Sequence, residues 1–405
     1  MSGKVQNNTD RQSGSVAAAP SATASASNPT IYTNPAGGLG TEWHNTTSGE
    51  IFICFDATSN LNKWKGQKSF QFITPTRGLI TGGKTGSGAT SVATTIDYVT
   101  IDTLGNATDF GDLTEGRSAH SALANGKNDR AIVSAGGIDN NGSSGYNRNI
   151  DYVTVSTPSN ASDWGDLPSC TATTGYGGGA GFGPGTDRDG AHQGTGQECT
   201  NGTNDRGMTG GGYIDQSSTY YGYHPNLLIY TIPNTSSCVD SGKDLLRAGY
   251  NSGGCSNGKN DRAVFAGQNS PTTNVMQYTT ISNVVNCVDF GDLTGISTGN
   301  KGCSSDLNDR GIFNHEGGDA TKIQYFTIST TGNAADFGDL LVSDYSQTSF
   351  SSGIGDRACF AGGGNASPQP DQISYITISS TGNSQDFGNL SQGRNSSSST
   401  SDGMQ

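Results

Sequence analysis

No stretch of this 405-residue chain approaches the ~20 consecutive apolar residues of a bilayer-crossing helix, so no membrane insertion is expected. The opening Met1-Ser2-Gly3-Lys4 lacks the apolar segment of a secretory signal, and ordinary secretion is not expected either. Basic residues are scarce. Against 35 Asp and Glu stand 22 Lys and Arg, for a net charge of -13 and no basic cluster. That balance argues against a nucleic-acid partner, because phosphate binding draws on Lys and Arg. No Cys-Xaa-Xaa-Cys pair or His-rich spacing is present, so neither a metal centre nor another cofactor is expected. No serine sits in a nucleophile-elbow context, and His44, His120, His192, His224 and His315 share no register, so the chain does not read as an enzyme. Apolar residues make up only 31%, which excludes amphipathic helices around a large core.

What the chain has instead is glycine, 61 residues of it, and a unit written six times. Each unit runs from an Arg, preceded by Asp in five of the six, and a short apolar strand to a glycine-rich break, then a Tyr-containing strand, then an Asp-Phe-Gly-Asp-Leu type closing element. The clearest copy holds Asp129-Arg130, Gly136-Gly137, Tyr152-Val153-Thr154-Val155 and Asp163-Trp164-Gly165-Asp166-Leu167. A period near ~50 residues with strand character throughout points to a propeller or solenoid, in which neighbouring units stabilise one another. The strand tyrosines are Tyr98, Tyr152, Tyr230, Tyr278, Tyr325 and Tyr375; the closing rings are Phe110, Trp164, Phe290, Phe337 and Phe387, with Ser241 in the third unit.

From the closing leucine to the next Asp-Arg the distance is 16 residues in four cases, Leu113 to Asp129, Leu245 to Asp261, Leu293 to Asp309 and Leu340 to Asp356. Leu167 to Asp205 spans 38, a gain of 22. After Leu390 the same interval overshoots Gln405, while a strand that would follow stands early, at Thr76-Arg77-Gly78-Leu79-Ile80-Thr81-Gly82-Gly83. The expectation is a ring in which the C-terminal segment completes the first unit, leaving no open sheet edge.

The order of signals resembles the kelch family of β-propellers over roughly residues 70 to 405. The resemblance implies an all-β fold: a six-bladed propeller of four-stranded blades, with Arg394 to Gln405 as the inner strand of the blade holding Thr76 to Leu113. Gly267-Gln268 and the inserted Asn314-His315-Glu316 depart from the motif locally. Among kelch-like propellers a copper-radical oxidase is the notable enzyme, a remote alternative here, since Tyr221, His224 and the cysteines compose no evident ligand set.

Residues 1 to 30 are polar and Ala, Ser and Pro rich, and read as an extended docking arm. Residues 31 to 69 read as a small β-hairpin module, turning at Thr47-Ser48-Gly49 with Trp43 and Trp64 available to pack together. The pattern from Trp43 to Phe52 resembles short β modules of bacteriophage tail-fibre and other virion proteins. The wording from Tyr325 to Leu340 is similar to repeats in structural proteins of tailed phages, including those of marine bacteria and cyanobacteria. This resemblance implies a virion surface protein assembled in the host cytoplasm and present in multiple copies. Its arm would contact other virion proteins. A tail appendage for host attachment and a capsid decoration protein are both open.

Two groups of residues are singled out. Cys199, Cys255 and Cys303 each lie six residues before an Asp-Arg, and Cys238 and Cys287 lie two before the Asp of a closing element. That register suggests pairing within a repeat (Cys238 with Cys255, Cys287 with Cys303) or within a blade (Cys199 with Cys238, Cys255 with Cys287), unless they are simply buried apolar groups. The second group lies on one face. In a four-stranded antiparallel blade the second-to-third loop and the blade-to-blade loop emerge on the same side, so the expansion within Ser169 to Thr203 and a long loop from Tyr213 to Asn226 should rise together. They carry Tyr176, Phe182, Asp187, Arg188, Asp189, Tyr213, Tyr220, Tyr221, Tyr223 and His224. Aromatic rings beside carboxylates suit a glycan or a protein surface, and long loops in compact repeats tend to be functional.

Overall fold

The computed structural model describes residues 22–30, 32–59, 62–66, 77–86, 92–124, 129–138, 148–167, 198–201, 206–217, 220–247, 249, 253–256, 260–268, 272–297, 300–305, 309–315, 321–342, 346–351, 356–364 and 368–401. Among them every regular element is a strand, and the 28 strands form seven four-stranded sheets. The chain divides into two units, Met1–Thr74 and Pro75–Gln405.

The smaller unit holds one sheet, in the order Thr23–Ser25, Glu42–Asn45, Ile51–Asp56, Lys63–Gly66. Its first strand comes from the segment expected to be an arm and pairs in parallel with Glu42–Asn45, so the module is larger than a hairpin. Asn45 makes the turn: its Oδ1 accepts the amides of Thr47 and Ser48 at 2.8 and 2.9 Å, and Gly49 takes φ +70° where a side chain would be strained. Phe52, Cys54 and Trp64 are buried on one face, and Trp43 meets Trp64 edge to face with ring centroids 6.0 Å apart.

The larger unit consists of six sheets, I to VI in chain order. Sheet I contains Arg77–Thr81, Thr95–Thr100 and Thr108–Asp112, with Ser398–Ser401 as its first strand. That late strand pairs antiparallel with Arg77–Thr81, Ser399 opposite Ile80, as the interval count anticipates. Sheet II runs from Ser121–Ala124 to Ser162–Asp166, III from Glu198–Asn201 to Val239–Asp244, and IV from Gly253–Cys255 to Val288–Ser297. Sheet V runs from Gly302–Ser305 to Ala335–Asp339, and VI from Thr348–Ser351 to Gln385–Asn389. Second strands such as Arg130–Ser134 bury four consecutive residues, because both faces of each sheet are covered.

Six apolar cores do the covering, each shared by two consecutive sheets. Leu79, Ile96 and Phe110 of sheet I pack with Ala122, Val133 and Val153 of II. The series continues through II with III, III with IV, IV with V and V with VI. The sixth core joins Phe350, Cys359 and Phe387 of VI to Ile80, Val99 and Ile101 of I.

Polar contacts follow the same cycle and account for the repeated residues. The arginine that opens each second strand reaches a carbonyl of the next sheet: Arg77 to Val155 at 2.8 Å, Arg130 to Ile232 at 3.0 Å, Arg206 to Ser282 at 2.8 Å. Arg262 reaches Ile328 at 2.9 Å, Arg310 reaches Ile378 at 2.9 Å, and Arg357 returns to Ile101 of sheet I at 2.7 Å. In five sheets the same guanidinium lies 4.6 to 4.9 Å from the ring of the strand tyrosine, which explains the distant Arg and Tyr of the repeat. The aspartate before it turns back to cap Ser156, Ser282, Ser329 or Ser379 at the end of its own third strand.

The closing element also faces its neighbour. The second Asp of Asp-Phe-Gly-Asp ends the fourth strand in sheets I, II and V. Its amide donates to the following sheet, Asp112 to Asn160, Asp292 to Asn333 and Asp339 to Asn383, each at 3.0 to 3.1 Å. Asn389 closes the cycle on Asn106 of sheet I at 3.1 Å. Gly111 shows why the element needs glycine: its φ is +144°, and a Cβ there would stand 2.5 Å from the Ser159 carbonyl oxygen.

Candidate functional site

Sheet III is the least regular of the six. Its second and third strands, Arg206–Ser217 and Tyr220–Thr231, are each 12 residues long, against 5 and 6 in sheet II. The expected loop from Tyr213 to Asn226 is therefore not a loop: the two strands continue pairing as an extended ribbon to Ser217 opposite Tyr220. Register places Tyr213 opposite Tyr223 and Asp215 opposite Tyr221. His224 stands opposite Gly212. Tyr213, Tyr220, Tyr221, Tyr223 and His224 are thus brought together by backbone pairing, with a register shift between Asp215 and Ser217. Tyr176, Phe182, Asp187, Arg188 and Asp189 lie outside the described residues. Tyr213, Ile214, Tyr220, Tyr221 and Tyr223 have the aromatic and branched character of strands, but the preceding Gly210-Gly211-Gly212 made the segment read as a loop.

Of the two readings open for the cysteines, the described ones fit that of buried apolar groups. Cys238, Cys255, Cys287 and Cys303 are buried thiols, none in a disulfide. Cys255 instead donates its S–H to the carbonyl of Cys303 at 3.2 Å, across neighbouring first strands. Burial pushes the thiols of Cys255 and Cys287 up to about 12, and that of Cys303 well above the ordinary range, so they behave as apolar packing groups rather than nucleophiles. Cys199 is the second residue of Glu198–Asn201, opposite Met208. Among the described residues no three His, Cys, Asp or Glu side chains gather as metal ligands.

Sequence reasoning missed a buried polar seam where sheets I, II and VI meet. Ala119, Ser346 and Ser396, each two residues before a first strand, have φ of 52°, 58° and 51°. They are chained by backbone bonds, Ala119 N to Ser396 O at 2.8 Å and Ser396 N to Ser346 O at 3.1 Å. Behind this chain two arginines, both fully buried, are paired: Arg394 with Asp97 at 2.6 Å and Arg117 with Asp151 at 2.9 Å. Each aspartate also accepts two bonds from the loop after a fourth strand, from Ser391 onto Asp97 and from Thr114 onto Asp151. The signal was available in Asp97-Tyr98 and Asp151-Tyr152 with Arg394 and Arg117, because only these two units carry that Asp and Arg together.

His120 sits in the seam, 1% exposed, its Nε2 2.8 Å from Thr81 Oγ1. Thr81 donates its hydroxyl to Ser398 O at 3.2 Å, so His120 Nε2 carries the hydrogen. Burial first, then the charges of Arg117, Lys301 and Arg394, hold its pKa well below the ordinary 6.5, and the ring is neutral when folded. The unfolded chain therefore binds a proton that the folded one refuses. Stability should fall as pH drops below 6.5, by up to about 1.4 kcal/mol per pH unit for this group. Urea titrations across that range should show a shallower fall for His120→Gln than for the parent chain; parallel curves would exclude the histidine as the cause.

No protein-family model matches this chain, and no curated protein matches it.

Proposed function

We propose that the larger unit is a six-bladed, kelch-like β-propeller and that the chain is a surface component of a tailed-phage virion, its propeller recognising a glycan or protein on the host. The propeller reading is supported by six four-stranded sheets whose cores, arginine bonds and closing-element bonds all run in one cycle from I to VI and back to I. A closed ring of blades would give each sheet two such neighbours. The virion reading is supported by the resemblance of the repeat and of the Trp43 to Phe52 segment to phage structural proteins. On this reading the N-terminal segment anchors the protein to other virion proteins, and many copies are displayed.

The observation that carries the adhesive role is the ribbon of sheet III. It extends one hairpin beyond the length of its counterparts and, by its backbone register, concentrates Tyr213, Tyr220, Tyr221 and Tyr223 in one short stretch of paired chain with Asp215. Tyrosine gives flat apolar area with a wet hydroxyl, the composition of sugar-binding and protein-binding surfaces. Purified protein should compete with phage for host cells, and Tyr220→Ala with Tyr221→Ala should lower adsorption about tenfold or more, as loss of aromatic anchors does. Unchanged adsorption, with the protein still incorporated into particles, would point to a decoration role instead.

A further inference from the structure

We infer that the small N-terminal unit pairs with a second copy of this chain through the outer face of its sheet. Strand Ile51–Asp56 alternates strictly: Phe52 and Cys54 are buried, while Ile53 and Phe55 are 47% and 55% exposed. Exposed apolar residues on a central strand of a single sheet leave its second face without the cover that a two-layer architecture supplies. Among the described residues the buried side of the unit holds Phe52, Cys54 and Trp64 as its fully buried apolar side chains, a small core that a second layer would reinforce.

The charges around the apolar stripe specify what covers it. Register sets Glu42, Ile53 and Lys65 in one row across the sheet. The strand on one side presents Glu42 and His44, in contact at 3.1 Å; the strand on the other presents Lys63 and Lys65, with Lys63 3.2 Å from Asp56. The face is therefore acidic along one flank, apolar along the middle and basic along the other. Such a surface is complementary to itself. A two-fold axis lying over the stripe and parallel to Ile51–Asp56 brings stripe onto stripe and sets the Glu42 strand of each copy over the Lys63–Gly66 strand of the other. A two-fold across the strands would oppose Glu42 to Glu42 and lysines to lysines, a repulsive arrangement. Charge thus selects both the partner, a like copy, and its parallel orientation. The inference stands on this unit alone and does not depend on the adhesive reading.

Sedimentation equilibrium of the full chain tests it. The parent should show a monomer–dimer equilibrium. Phe55→Asp should weaken it about a hundredfold, as removal of a central apolar anchor does. Glu42→Lys and Lys65→Glu should each weaken it about tenfold, more so at low salt, and the two together should restore it by exchanging the flanks. Unaltered Trp43 and Trp64 fluorescence would show that each variant keeps its fold, and should Phe55→Asp fail that check, the charge exchange still decides. A monomer at ~100 µM, where even weak specific pairs associate, would overturn the inference. So would a trimer, a dimer indifferent to Phe55→Asp, or a double charge variant no tighter than its parents.

Discussion

Replacing Arg394 by Ala should destabilise the larger unit by about 3–5 kcal/mol, the usual consequence of leaving one member of a buried ion pair without the other. Arg394 and Asp97 are both fully buried and 2.6 Å apart, and removal of the guanidinium strands a carboxylate that still faces Ser391. Burial lowers the arginine's pKa and the aspartate opposes that shift, so the pair persists only as a pair. The comparison that identifies the mechanism is the double variant Arg394→Met with Asp97→Leu. With no charge left behind, it should regain much of the loss in guanidinium titrations. If single and double variants lose the same amount, the arginine acts through packing and the uncompensated charge is not the cause.

Deleting Ser398–Ser401 should have a larger effect still. The strand supplies one edge of sheet I, and its residues are almost wholly buried between neighbours. Ser399 and Ser401 donate their hydroxyls to Ser349 and Ser351 of sheet VI at 2.9 and 2.6 Å, while Thr81 bonds back to Ser398. Its loss would open the cycle where the core of Phe350, Ile80 and Val99 is formed, and expose Arg77–Thr81 as an unpaired edge. Calorimetry should replace the cooperative transition of the unit by a broad, low-enthalpy one, with association at rising concentration. A sharp transition within a few degrees of the parent would mean that the sheets hold without sealing.

Much of this architecture was legible before any coordinates. The constant interval from closing leucine to Asp-Arg set the C-terminal segment beside the early strand at Thr76 to Gly83, because an equal chain length in every unit implies an equal path; the strand proper is Ser398–Ser401. Trp43 and Trp64 were readable as a pair for a similar local reason. Other features were hidden because they lie between units. Nothing in a single repeat says that Arg310 bonds a carbonyl of Ile378, since that contact joins residues of successive sheets at a separation of 68. The cysteine register was real, yet it reflects equivalent buried positions rather than sulfur bonding to sulfur. The parallel strand Thr23–Ser25 was invisible because a short Thr-Ala-Ser run has no apolar alternation; its pairing is a matter of backbone alone. The ribbon of sheet III was misjudged because the run Gly210-Gly211-Gly212 ahead of it reads as a break, although Tyr213, Tyr220, Tyr221 and Tyr223 suit a strand.

The partnership between Thr81 and Ser398 spans 317 positions, and it sets a timetable for biosynthesis. As the polypeptide leaves the ribosome, sheets II to VI can each assemble from contiguous stretches, whereas sheet I must wait for a segment translated after all of them. Throughout that interval the nascent molecule carries an incomplete first sheet, the state most open to exchange of strands with a neighbouring nascent chain.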